Sequence, residues 1–381
     1  MNNQTCPTLL MLNARSIATP GKMDEVHIMC SIKHPDILIV TESWLNMDYD
    51  SSLFQLDGYS LFRQDRLNKK GGGLAVWVRS SLTTQRHFPA TDSPIGDHLF
   101  LSFFWNSLRY LLCATYIPPN RTCVLDDLLR DFFILELDVL LDTFPNSPII
   151  FCGDFNHLNV DPVSCAHSLD QMVLQNTRLN AILDHFYVST SLSPFYGPAV
   201  IGPPHFCKRR GSHNQVLLKP LNDICNQSHL LTHKIYDCRR QHLCKFVESL
   251  SQMNFTDLYR QPDINLKVDI FYRKFHHCLS VIPQGFVRMS PRDKLWVTPL
   301  LKSLITERWN AFRAKDFGEY NKLKVKCKNM ITKAKSRWYH KVRANERNPW
   351  SVVREISGKS SVNHFDSLFA NFSDVLDGCN A

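Results

Sequence analysis

The 381-residue sequence has no stretch of 18 or more apolar residues, the least that a membrane-spanning helix needs. No Lys or Arg stands among its first fourteen residues, ahead of or within the first apolar run, so no secretory leader is expected. The sequence therefore reads as an intracellular protein, nuclear or cytoplasmic and not secreted, with no membrane partner. Internal repeats and low-complexity tracts are missing as well, which excludes solenoids and linkers. Thirteen cysteines, an odd number in a long chain, read as reduced thiols and not as a disulfide frame. Paired zinc-ligand spacing is lacking too: neither Cys238, His242 and Cys244 nor His205, Cys207 and His213 match it. Lys69-Lys70-Gly71-Gly72-Gly73 fits no phosphate-loop pattern and predicts a tight turn entering a strand.

What is there describes a globular chain, 44% apolar and 21% charged, long enough for two domains. Its net charge of +9 is unevenly placed. Residues 1–220 hold 17 Lys/Arg against 20 Asp/Glu, whereas residues 221–381 hold 27 against 15. Such asymmetry suggests a polyanion-binding region beside a domain with a different task. The positive excess peaks over 302–343, where 13 basic residues face Glu307, Asp316 and Glu319, with Trp and Tyr residues between them. A helix of this kind neutralises phosphates, and Lys324, Lys328 and Lys335 are its candidate contacts. The competing reading is an amphipathic helix that packs on another domain.

Short apolar runs mark the first 220 residues: Thr8–Leu12, Asp36–Val40, Gly73–Val78, Leu99–Phe104, Tyr110–Thr115, Ile149–Cys152, Phe186–Val188 and Gln215–Leu218. Each reads as a strand buried on one or both faces. Helices are expected over Asp24–Lys33 and Val124–Phe144, the second from apolar residues recurring near every 3.6 positions. This predicts an α/β architecture of two packed sheets with helices outside. Beyond Pro220 the period of two fades, and helices are expected over Arg239–Met253, Leu266–Leu279 and Leu300–Ala344. The boundary falls near 220–235, dividing the chain into domains 1–221 and 222–381, the second a mainly helical basic extension.

The chemistry gathers where the apolar runs end or begin. Asn13 ends one run, Thr41-Glu42-Ser43-Trp44 another, Tyr116-Ile117-Pro118-Pro119 a third and Gly153-Asp154-Phe155-Asn156 a fourth, while Asp184 and Gly211-Ser212-His213 precede two more. Each alone is an ordinary turn or cap. Together, strand-end polar residues collect on one edge of a sheet, where α/β folds place their sites. The set suits phosphodiester hydrolysis, which wants a hard cation on oxygen ligands, a carboxylate base and a proton donor near the growing charge. Glu42 and Asn13 offer the oxygens, Asp154 with Asn156 can polarise and steer water, and His213 can donate if Asp184 holds its other nitrogen.

Six motifs in one order carry a resemblance: Asn13-Ala14-Arg15-Ser16, Thr41-Glu42-Ser43-Trp44-Leu45, Arg63-Gln64-Asp65-Arg66 with Gly71-Gly72-Gly73, Tyr116-Ile117-Pro118-Pro119, Gly153-Asp154-Phe155-Asn156, and Thr177-Arg178 before Ile182-Leu183-Asp184. Over roughly residues 8–220 the sequence resembles the apurinic/apyrimidinic-endonuclease-like domain of non-LTR retrotransposon polyproteins of the LINE and jockey type. That domain belongs to the endonuclease/exonuclease/phosphatase superfamily. The resemblance implies a four-layer α/β sandwich of two mixed sheets flanked by helices, and a target DNA duplex nicked to prime reverse transcription. It implies Mg²⁺, replaceable by Mn²⁺, at Glu42 with Asn13. Asp154 would be the base, Asn156 would orient the groups, Tyr116 would contact the scissile phosphate, and His213 with Asp184 would stabilise the transition state. Arg15, Arg66, Thr177 and Arg178 would face nucleic acid, and element RNA is a second partner expected at the basic helix.

One departure matters. The family normally ends this domain in Ser-Asp-His, and this chain has Gly211-Ser212-His213. A hydroxyl cannot balance a cation, and a lost site carboxylate costs on the order of several kcal/mol of transition-state stabilisation. A nuclease impaired by Ser212 is therefore expected, the alternative being an inactive remnant that binds nucleic acid. A third reading, a branch acting on phosphoinositides or sphingomyelin, fits less well with Asp293-Lys294-Leu295-Trp296-Val297-Thr298-Pro299 and Asn348-Pro349-Trp350. These look like the connector before a reverse transcriptase. No aromatic-x-Asp-Asp polymerase site follows, so the sequence reads as an element fragment truncated before its polymerase.

Overall fold

The structure, a computed structural model, describes residues 6–66, 71–204, 212–221, 231–236, 240–289 and 293–345. Within 1–221 the elements run β1 (Leu9–Asn13), α1 (Lys22–Lys33), β2 (Ile37–Thr41), β3 (Tyr59–Gln64), β4 (Leu74–Arg79), β5 (Thr84–His87), β6 (Asp97–Trp105), β7 (Leu108–Tyr116), α2 (Cys123–Thr143), β8 (Ile149–Asp154), α3 (Asp161–Ala166), β9 (Leu169–Gln171), β10 (Asp184–Ser189), β11 (Val200–Pro204) and β12 (Asn214–Leu218). They form two six-stranded mixed sheets, ordered β11-β12-β1-β2-β4-β3 and β5-β6-β7-β8-β10-β9. The parallel pairs β1–β2 and β7–β8 are the ones joined through α1 and α2, because a parallel return needs a crossover.

Period two in the strands sorts residues between two environments. Leu9 and Met11 of β1, Ile37 and Ile39 of β2, Leu112 and Ala114 of β7, Ile150 and Cys152 of β8, and Phe186 and Val188 of β10 point into the core between the sheets. The intervening residues pack outward, Leu10, Leu12 and Val40 against α1 and Phe151 and Cys113 against α2. The order helix, sheet, sheet, helix is the four-layer sandwich.

The extension continues with β13 (Leu231–Tyr236), α4 (Arg240–Ser251), α5 (Thr256–Arg260), α6 (Ile264–Leu279), β14 (Gln284–Met289), α7 (Pro299–Arg313) and α8 (Phe317–Asn345). Besides the short and unexpected α5, it departs from expectation twice. The helix expected over 300–344 is a hairpin of two, broken where Lys315 takes φ +58° and Asp316 Oδ1 accepts from Glu319 N at 2.9 Å to start α8. And β13 pairs antiparallel with β14, a two-stranded ribbon that the fading alternation hid. The hairpin packs on the sandwich. Val26, Met29 and Cys30 turn one face of α1 to its sheet, while Ile28 turns the other to Leu301, Leu304, Ile305, Leu323, Cys327 and Ile331. Lys335 Nζ pairs with Asp24 at 2.7 Å, and Lys33 Nζ sits 3.3 Å from the Trp309 ring centre. Nine cysteines are described, all free thiols.

Candidate active site

The inter-sheet core ends in charge. The next inward position after Leu9 and Met11 is Asn13, after Ile37 and Ile39 is Thr41, after Ala114 is Tyr116, and after Cys152 is Asp154. Asp97 precedes Leu99, and Asp184 precedes Phe186. Register fixes their meeting: Asn13 lies opposite Thr41, Asp97 and Asp154 flank Tyr116, and Asp184 faces Asp154 across an antiparallel pair. Gly153 is what lets β8 come so close to β7, since a Cβ there would stand 1.9 Å from Thr115 O.

Asn13 Nδ2 donates to Glu42 Oε1 and to Asp154 Oδ2, both at 2.8 Å. Trp44 Nε1 donates to Glu42 Oε2 at 3.3 Å. Asp154 Oδ1 accepts from Asn156 N at 3.1 Å, while Asn156 Nδ2 donates to Ile117 O at 2.6 Å and ties the two strand ends together. His213 Nδ1 lies 2.7 Å from Asp184 Oδ2 and 3.7 Å from Asp154 Oδ2. Arg15, Ser16, Glu42, Trp44 and Asn156 all carry positive φ, between 45° and 79°. Left-handed backbone at five non-glycine residues around one site is strain held by the surrounding structure.

Electrostatics follow from burial. Asp154 is fully buried, and desolvation with the Asp184 charge pushes its carboxyl up to about 7, against His213 and the hydrogen bonds from Asn13 and Asn156. A base poised there changes protonation near neutrality. Burial would lower the His213 imidazole, but Asp184 and then Asp154 outweigh it and raise it above its ordinary value. Burial, followed by Glu42 and Asp154, raises the Tyr116 phenol and keeps it protonated.

Two sets of atoms could hold a cation. Asp154, Asp184 and His213 bring ligand atoms within 4.8 Å of one another, but His213 Nδ1 is already engaged by Asp184. Asn13 Oδ1 is buried with no hydrogen-bond partner, beside the half-buried Glu42 carboxylate. An orphaned amide oxygen next to a carboxylate is an all-oxygen donor set that fits a hard divalent ion.

The structure thus brings together Asn13, Glu42, Tyr116, Asp154, Asn156, Asp184 and His213. Thr177, expected on the nucleic-acid face, is instead fully buried. Its Oγ1 accepts from the amides of Leu183 and Asp184 and its carbonyl from Asn214 N, so it locks β10 to β12 and thereby Asp184 to His213. Arg178 is half-buried and its charge acts on His213; Arg15 is half-buried in the loop after β1. Arg66 is held by Asp97 at 2.6 Å, with its guanidinium 5.0 Å from the Tyr116 ring centre. Asp97 also accepts from Gly73 N at 2.8 Å. Sequence reasoning missed Asp97; counting back by twos along β6 to its polar end would have found it. Gly71, Gly72 and Gly73 all take positive φ at the entry to β4; the rest of the expected turn lies outside the described residues. Lys69, Lys70, His205, Cys207, Gly211, Cys238 and 348–350 lie outside the described residues. On α8, Lys335 is taken by Asp24, Lys324 is half-buried near Glu25, and Lys328 is exposed.

The model of the Endonuclease/Exonuclease/phosphatase family matches residues 9–212. No curated protein sequence matches the chain. Among solved structures, it is similar to the endonuclease domain of TRAS1, a telomere-specific non-LTR retrotransposon, at 10% identity and TM-score 0.43, covering 56% of this chain and 97% of that one. It is also similar to the 3′-5′ exonuclease NExo of Neisseria meningitidis (14%, TM-score 0.42, 56% and 99%) and to the AP endonuclease LMAP of Leishmania major (16%, TM-score 0.41, 56% and 87%).

Proposed function

The chain belongs to the endonuclease/exonuclease/phosphatase family, and we propose that it is a Mg²⁺-dependent DNA endonuclease of the non-LTR retrotransposon type, nicking a target duplex. The observation that carries this is the buried Asp184–His213 pair standing beside Asp154, with Asn13 bridging Asp154 to Glu42. A divalent ion held by Glu42 and Asn13 would supply positive charge to the phosphoryl oxygens and the leaving oxygen.

The protein's own groups do the rest. Asp154 takes the proton of the attacking water, and Asn156 holds the Asp154 carboxylate in place through its amide. His213, oriented through Nδ1 by Asp184, presents its other ring nitrogen as the donor to a phosphoryl oxygen. Tyr116 stays protonated and offers its hydroxyl to the scissile phosphate. Ser212 leaves the site one carboxylate short of the family pattern, so the activity is expected to be weak. The division into a nuclease domain of residues 1–221 and a basic extension of 222–381 belongs to the same reading.

Purified protein incubated with supercoiled plasmid and Mg²⁺ or Mn²⁺ tests this, beside Asp154→Ala. Metal-dependent conversion to open circle by the wild type alone is expected. No conversion by the wild type together with tight nucleic-acid binding would favour the inactive remnant, the reading that Ser212 supports.

A further inference from the structure

The basic residues of α8 divide into two groups around its axis. With about 100° between successive residues, Tyr320, Leu323, Cys327, Ile331, Ala334 and Trp338 share one sector, and all six are buried or partly buried, five of them against α1 and α7. On one side of that sector lie Lys324, Lys328 and Lys335. Lys328 and Lys335 line a cavity of about 800 Å³ together with Asp24 and Glu25, and Lys335 is ion-paired with Asp24. None of the active-site residues lines it. Acid on α1 therefore faces this group.

On the other side lie Lys322, Lys326, Lys333 and Arg337, all exposed and within a sector of about 60°. Among the described residues Glu319, 3.7 Å from Lys322, is the single carboxylate paired with any of the four. The row is about 22 Å long at ~1.5 Å per residue. That matches the rise of about six base pairs at 3.4 Å each. Between Lys322 and Arg337 no other residue falls in the sector; Asn329 and Met330 border it, Met330 packed against the hairpin core, and Trp338 and Tyr320 point into the buried face. Single strands are held by stacking on aromatic rings and membranes by apolar anchors, and this row offers neither. Point charges spaced along a rigid rod suit the phosphate backbone of a duplex.

We propose that Lys322, Lys326, Lys333 and Arg337 form a sequence-independent docking surface for a nucleic-acid duplex, distinct from the nuclease site. It shares with the proposed activity only its class of partner, so it is measured with metal chelated and no hydrolysis required. The full chain is titrated with a short mixed-sequence DNA duplex, and with one of its strands alone, across salt from about 50 to 200 mM. Replacing all four residues (K322Q, K326Q, K333Q and R337Q) should flatten the slope of log K against log salt by about 3 to 4, given ~0.9 per phosphate contact. The control K324Q, K328Q and K335Q should change that slope by only about 1, the share of the exposed Lys328, since Asp24 holds Lys335 and Lys324 is half-buried beside Glu25. The proposal is overturned if the four-fold variant keeps the wild-type slope, if the control loses as much, or if the single strand binds more tightly than the duplex. Binding of the wild type to phosphatidylserine vesicles and not to duplex overturns it too. Should the four-fold variant melt early, the pair K326Q and K333Q, expected to lose about half the change, decides the matter.

Discussion

The polar end of the sandwich and the α7–α8 hairpin treat charge in opposite ways. At the sandwich end Asp154, Asp184 and His213 are withdrawn from water and held by one another and by Asn13 and Asn156. On the hairpin most basic side chains stand in solvent and the packing is done by Leu301, Leu304, Ile305, Leu323 and Ile331. Lys302 and Arg308 are the exceptions, both buried, Lys302 paired with Asp293 at 2.7 Å. Burying unlike and like charges together costs stability unless something else requires it. On the proposed function, charge at the sandwich end is kept for chemistry, whereas the exposed charge on the hairpin is separable from folding.

The largest effects should break the sandwich end without unfolding it. Asp154→Ala is expected to reduce nicking by ~10³-fold or more, the usual worth of a positioned general base. Stability should move the other way. The folded value of Asp154, about 7, lies above its ordinary 3.8, so its contribution is fully present below 3.8 and lost as pH rises through 7. Removing the charge relieves that cost, and Asp154→Asn should raise Tm at alkaline pH by on the order of 5 °C. A Tm that falls instead would mean that the carboxylate is structural.

On the hairpin the expected signs reverse. Leu301 is fully buried against Ile28 of α1, and Leu301→Ala should cost about 2–5 kcal/mol. Because α1 also packs on its sheet, calorimetry should show one transition for hairpin and sandwich, shifted down as a whole. Two transitions, with only one moved by the substitution, would show the two regions to be independent. Next in size is Ser212→Asp, which should raise nicking by roughly tenfold or more if the missing carboxylate limits the rate. An unchanged rate would place the defect elsewhere.

Much of this comparison is legible in the sequence because strand ends are legible. Every apolar run of the first 220 residues is a strand, and Asn13, Asp154, Asp184 and His213 stand at its ends in the order that the motifs give. Edge strands were harder: β5 reads Thr84-Gln85-Arg86-His87, polar on both faces because only one neighbour covers it. Contacts set by register were hidden as well. Nothing local says that Thr177 is buried beneath Asp184 and Asn214, or that Arg66 meets Asp97 from 31 positions away. On α8 the spacing alone could have separated Lys326 and Lys333 from Lys328 and Lys335, but the acid of α1 that makes the separation matter arrives only with the fold.

The smallest expected effect sharpens what burial means at a site edge without chemistry. His98 is buried under the rings of Phe132 and Phe133, its Nδ1 2.6 Å from Thr115 Oγ1 and its Nε2 2.7 Å from Ser93 Oγ. Burial lowers its imidazole to about 4, with the Ile95 carbonyl opposing and Arg66 assisting. A folded value below the unfolded one gives stability that is present above the unfolded value and lost as pH falls toward 4. Between pH ~7 and pH ~5.5 the loss should be about 1 kcal/mol from this residue alone. His98→Gln keeps a hydrogen-bonding group without the titration, so urea melts of wild type and variant at the two pH values should differ by that double difference. Parallel losses in both proteins would show that His98 takes up its proton without cost. Its buried hydrogen bonds would then be looser than the packing against Phe132 and Phe133 implies.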